Sequence, residues 1–97
     1  LHVELMGDVK FRGGDSKTIS LYVRRGKTGK GLSGAQIMVK VIGAAFRPLI
    51  FHAKTDSNGV AVVNLQLPHF NRGRAAILVK AMSGGDEVEL RRVVRQG

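Results

Sequence analysis

The chain has 97 residues, 43% of them hydrophobic and none cysteine, and its 16 lysines and arginines against 7 acids give a formal charge of +9. That length makes one domain spanning residues 1–97, able to bury roughly 60 to 65% of its unfolded surface around a single core. The absence of cysteine excludes a disulfide framework, a Cys-based zinc site and a thiol nucleophile, and no apolar run approaches the ~20 residues of a helical membrane span.

In chain order, the first strand is expected around His2 to Met6, followed by a loop from Gly7 to Ser16. Thr18 to Arg24 alternates with Ile19, Leu21 and Val23 on one face and Thr18, Ser20, Tyr22 and Arg24 on the other, the period of a half-buried strand. Gly31-Leu32-Ser33-Gly34-Ala35 then leads into a run that places Ala35, Ile37, Val39 and Val41 inward and Gln36, Met38 and Lys40 outward. Leu49, Phe51 and Ala53 alternate against Ile50, His52 and Lys54. Thr55-Asp56-Ser57-Asn58-Gly59 reads as an Asx-type turn, with Asp56 capping the backbone and Gly59 at positive φ. Ala61, Val63, Leu65 and Leu67 share the face of the next run, and Ile77, Val79 and Ala81 that of the one after. The last run starts at Glu87 with Val88 and Leu90 on one face and Glu87 and Glu89 toward solvent; adjacent Val93 and Val94 break the alternation and predict a bulge near Arg91 and Arg92.

These are seven short strands at the turn spacing of a sandwich. Glycines punctuate runs rich in valine and isoleucine, so a helix with apolar residues at three-to-four spacing is excluded. Each strand has one apolar face to bury, so the predicted fold is all-β: two packed antiparallel sheets, with no repeat, low-complexity tract or linker. The chain opens at Leu1 with neither a basic leader nor an apolar segment behind it, which leads us to expect a module of a longer protein.

Gly31-Leu32-Ser33-Gly34-Ala35 before a valine-rich strand, and Thr55-Asp56-Ser57-Asn58-Gly59-Val60-Ala61 before a long apolar one, resemble the bacterial Ig-like and macroglobulin-like modules. The carboxypeptidase regulatory-like domains are close in pattern. The resemblance implies a seven-stranded, prealbumin-like or Ig-like β-sandwich over nearly the whole chain, and an extracellular, periplasmic or cell-surface location. Both motifs carry turn geometry, so it imports no catalytic residue and no cofactor. The transthyretin-like sandwich also occurs as a hydrolase of a small purine-derived ring, with a Tyr-Arg-Gly-Ser end; this chain finishes Val93-Val94-Arg95-Gln96-Gly97, and its one tyrosine is Tyr22.

Other chemistry finds little support. His2, His52 and His69 are far apart and lack the spacing of a zinc pair. Asp56-Ser57-Asn58-Gly59 resembles the start of a calcium loop, but Val60 to Pro68 holds no acid to close it. Ser16, Ser20, Ser33, Ser57 and Ser83 show no nucleophile elbow. The expectation is a protein that is not an enzyme and holds neither metal nor cofactor.

Charge is the remaining signal. No acid falls between Asp15 and Asp56, while Lys17, Arg24, Arg25, Lys27, Lys30, Lys40, Arg47 and Lys54 do, a field that attracts polyanions. If strands run alternately up and down, Gly7–Ser16, Gly43–Pro48 and Pro68–Arg74 share one end. That end gathers Phe11, Phe46 and Phe70 with Arg12, Arg47, His69, Arg72 and Arg74. The other end takes Gly26–Gly34, Asp56–Gly59 and Ser83–Asp86, mixing Lys27 and Lys30 with Asp56 and Asp86. Two functions are therefore weighed. One is a structural or adhesive spacer, monomeric when isolated, whose partners are the neighbouring domains. The other is a module binding nucleic acid, an anionic polysaccharide or an acidic protein surface through Arg12, Phe46, Arg47, His69, Phe70, Arg72 and Arg74.

Overall fold

The alternating runs bury their apolar faces against one another as two sheets around one core. The computed structural model describes residues 1–7, 9–26 and 29–97. Its strands are β1 (His2–Leu5), β2 (Phe11–Arg12), β3 (Ser16–Arg24), β4 (Gln36–Gly43), β5 (Phe46–Lys54), β6 (Val60–Gln66), β7 (Ala75–Ser83) and β8 (Asp86–Arg95). One sheet has the order β1-β3-β6 and the other β2-β8-β7-β4-β5. Ile19, Leu21 and Val23 of β3 and Ala61, Val63 and Leu65 of β6 meet Ile37, Val39 and Val41 of β4 and Ile77, Val79 and Ala81 of β7, all buried as the period-two reading requires. Each large aliphatic side chain so placed stabilises the fold by about 1.5–3 kcal/mol.

The all-β reading holds, but in place of the expected seven antiparallel strands the described residues form eight, in one antiparallel and one mixed sheet. The added strand is β2, from the segment expected to be loop. After β1 the chain crosses to the other layer, where Phe11 and Arg12 run parallel to Val94 and Arg95 of β8. Two residues buried on one side only carry no alternation to read, which is why the sequence hides this strand.

The bulge expected near Arg91 and Arg92 is absent: β7 and β8 pair without interruption from Ala75↔Val94 to Ser83↔Asp86. Consecutive residues of a strand face opposite ways, so Val94 enters the core while Val93 points outward, 72% exposed. A register shift lies instead in the pairing of β4 with β5, between Val41↔Leu49 and Gly43↔Phe46. The face of β5 expected to be inward is only partly covered, with Leu49 exposed and Phe51 and Ala53 half-buried, because β5 is an edge strand and overhangs the core.

The Cα atoms span 41 × 24 × 19 Å, and the loops sort to the two ends of the long axis as the up-and-down reading expects. The end formed around Gly13, the β4–β5 turn and Phe70 is here called the basic end; the one around Gly31 and Asp56–Gly59 is the turn end. Lys27, expected at the turn end, lies outside the described residues.

Candidate functional site

At the basic end, rings close the core. Phe11 and Phe70 are buried and Phe46 is half-buried, and the Phe46 and Phe70 ring centroids lie 5.5 Å apart at 60°. Tilted pairs at this separation are favoured by the ring quadrupoles. Glycine makes the seats: a Cβ on Gly13 would stand 2.7 Å from Phe70 Cδ1, and one on Gly43 would stand 2.5 Å from the Phe46 ring. The C-terminus joins this end, with the Gly97 amide donating to the Phe70 carbonyl at 3.0 Å and the Gly13 amide to the Arg95 carbonyl at 2.8 Å.

The predicted residues therefore separate by role. Phe70 is structural, and Phe46 leans on it. Arg12, Arg47, His69, Arg72 and Arg74 are exposed around them. Arg12 lies in register with Arg95 on the neighbouring strand, and the stem of Arg12 runs along Gly97. The carbonyl of Arg74 accepts from the Ala44 amide at 3.1 Å, holding that segment beside the β4–β5 turn, with Arg47 near the start of β5. His69 sits against Gly14. Lys17 Nζ stands 5.8 Å from the Phe11 ring centroid, and Lys17 also donates to the Lys10 carbonyl and stands 3.9 Å from Asp15. No ion pair among the described residues involves Arg12, Arg47, Arg72, Arg74 or Arg95. Only the parallel pairing of β2 with β8 brings Arg95 beside Arg12, a neighbourhood that the sequence does not show.

At the turn end the two sequence motifs form a single assembly. Thr55 is a buried polar residue whose hydroxyl accepts from the Ala35 amide at 2.8 Å and donates to the Leu32 carbonyl at 2.5 Å. Its own amide donates to the Ala35 carbonyl at 2.9 Å, and its carbonyl accepts from the Gly34 amide at 3.0 Å. Asp56 Oδ1 accepts from the amides of Asn58 and Val60 at 2.8 and 3.0 Å, the Asx-type turn expected there. Gly59 has φ +81°, and a Cβ there would stand 2.5 Å from the Cα of Gly31. Sequence read these segments as two separate turns; the link between them is Thr55.

One ion pair forms at this end, while Lys30 is exposed and takes part in none among the described residues. Arg25 Nη1 donates to Asp86 Oδ2 at 2.7 Å, and this guanidinium, by hydrogen bond and then by charge, holds the Asp86 carboxyl below its ordinary value. His2 and His52 are exposed, and His52 lies opposite Met38 in the β4–β5 register. No cluster of histidine, cysteine and acid able to hold a metal occurs among the described residues.

No protein-family profile, curated protein or solved structure matches this chain.

Proposed function

We propose that this chain is a noncatalytic Ig-like module of a larger exported or surface-associated protein, working by contact and spacing, with neighbouring domains as its first partners. The observation that carries the reading is the placement of the first and last strands. Leu1 and His2 lie at the turn end, where His2 pairs with Arg24, and Gly97 lies at the basic end against Phe70. The polypeptide thus passes along the 41 Å axis, the geometry of modules joined end to end. The strand order is compatible with an Ig-like arrangement, β2 being an extra short strand on the β8 edge. A fusion of two copies, Gly97 joined to Leu1, is expected to scatter X-rays as a rod close to twice the 41 Å of one copy. A maximum dimension near that of a single copy would sink the spacer reading.

A second reading, polyanion binding at the basic end, is favoured by the exposure there of Arg12, Arg47, Arg72, Arg74 and Arg95, Arg12 beside Arg95, with no ion pair to any of them among the described residues. Guanidinium groups free of carboxylates are available to phosphate or sulfate. Retention on heparin and duplex DNA, measured at low and physiological salt, separates the two readings. Recognition requires binding that persists at physiological salt, and in Arg47→Ala/Arg72→Ala/Arg74→Ala the slope of log affinity against log salt on DNA falls by about 3. Loss of all retention at physiological salt leaves the spacer.

A further inference from the structure

On the outer face of the five-stranded sheet, Ile42, Ala76 and Val93 stand side by side on β4, β7 and β8. Ile42 and Val93 are two strand spacings apart, about 10 Å, and the residue between them carries only a methyl group. The result is a hollow of about 490 Å³ floored by Ala76 and open toward the basic end past Gly43 and Gly73. Ala76 is only 3% exposed although it lies on the outer face, while Val93 on the rim is 72% exposed. Arg74 and Arg91 also line the hollow, and neither forms an ion pair among the described residues.

We propose that this hollow binds an anionic amphiphile, its apolar body lying between Ile42 and Val93 over Ala76 and its carboxylate or phosphate head paired with Arg74 and Arg91. The volume falls within the range of small-molecule sites, and an apolar floor with a few charged groups at the rim is their usual composition. Charge decides the occupant. A second copy of this chain would bring another +9 surface against the same arginines, and a neutral apolar ligand would draw water from two guanidinium groups without offering a countercharge. A broad protein footprint is disfavoured because Lys40, Lys80, Glu87 and Glu89 interrupt the rest of this face. The site goes beyond the polyanion reading, which needs the arginines and no hollow.

The test is a backbone-amide NMR titration of the full chain with monomeric laurate, dodecyl phosphate, dodecyl maltoside and inorganic phosphate. Laurate and dodecyl phosphate are expected to shift Ile42, Ala76 and Val93 and to saturate, while inorganic phosphate leaves Ala76 in place. Ala76→Phe fills the hollow and is expected to weaken laurate by about tenfold or more, and Arg91→Gln by about fivefold. Should Ala76→Phe fail to fold, Val93→Asn at the exposed rim takes its place and is expected to weaken laurate severalfold. Maltoside binding as tight as laurate, or laurate shifts that map elsewhere, would overturn the proposal. Sedimentation with phosphatidylglycerol vesicles, abolished by Ala76→Phe, would support it with a membrane lipid as the source; saturable laurate binding without vesicle binding supports it with a free amphiphile. Heparin retention is expected to be unchanged in Ala76→Phe, so this site and the polyanion reading stand or fall separately.

Discussion

At the turn end, Thr55 and Asp56 tie the backbone of Leu32, Ala35, Asn58 and Val60 with directional hydrogen bonds, whereas at the basic end Phe70 and Phe46 cover the core with rings. At the turn end a threonine hydroxyl, an aspartate oxygen and the Arg25–Asp86 pair have partners inside the domain. Ring closure needs no polar group, so the arginines around Phe70 are left without carboxylate partners among the described residues. The comparison teaches where to look for function in a domain without an evident reactive centre. At the end closed by apolar packing, five arginines remain available to something outside, without an ion pair among the described residues.

Four substitutions sharpen that contrast, in falling order of effect. Phe70→Ala removes the buried ring beneath the basic end and is expected to destabilise the protein by about 3–5 kcal/mol in denaturant unfolding. A loss under ~1 kcal/mol would mean that the ring does not close the core. At the opposite end, Gly59→Ala forces a Cβ into a left-handed backbone and against Gly31, and should cost about 2 kcal/mol or more in the same assay. Thr55→Val keeps the shape of the side chain but leaves the Ala35 amide and Leu32 carbonyl without the hydroxyl, an expected loss of about 1–3 kcal/mol with faster amide exchange at Ala35. An unchanged midpoint and unchanged exchange would show that the two motifs are not held through Thr55.

The smallest effect concerns pH. Asp86 has its folded pKa lowered by Arg25, so its stabilising contribution is present above the unfolded carboxyl pKa and is lost as pH falls through the folded value. The pair is solvent-exposed, so the effect on stability is small. In Arg25→Ala the Asp86 carboxyl should titrate closer to its ordinary value by NMR. An unshifted Asp86 would remove the ion pair from the account.

Much of this was legible in the chain. Alternation over Thr18–Arg24, Ala35–Val41 and Ala61–Leu67 marked which side chains enter the core, because a period of two is imposed by strand geometry whatever the partner strand. The sorting of loops to two ends followed from strand order. The site was partly legible: Arg12, Arg47, Arg72, Arg74 and the phenylalanines do share an end, but sequence could not separate Phe70, which is buried, from the exposed arginines beside it. Arg91 and Ala76 gave only indirect signals. The Val93–Val94 step suggested a bulge, when it marked one valine inside the core and one at the rim of the hollow.

The sequence by itself determined the all-β class, the inward faces, the Asx-type turn at Asp56 and the excess of positive charge, since each depends on local geometry or composition. Tertiary structure alone decided the parallel seat of β2 beside β8, the Thr55 link between two motifs some twenty residues apart, the Arg12–Arg95 neighbourhood and the hollow over Ala76. All four arise where residues distant in the chain meet across strands, and pairing between strands is set by the packing of the whole core rather than by any local run.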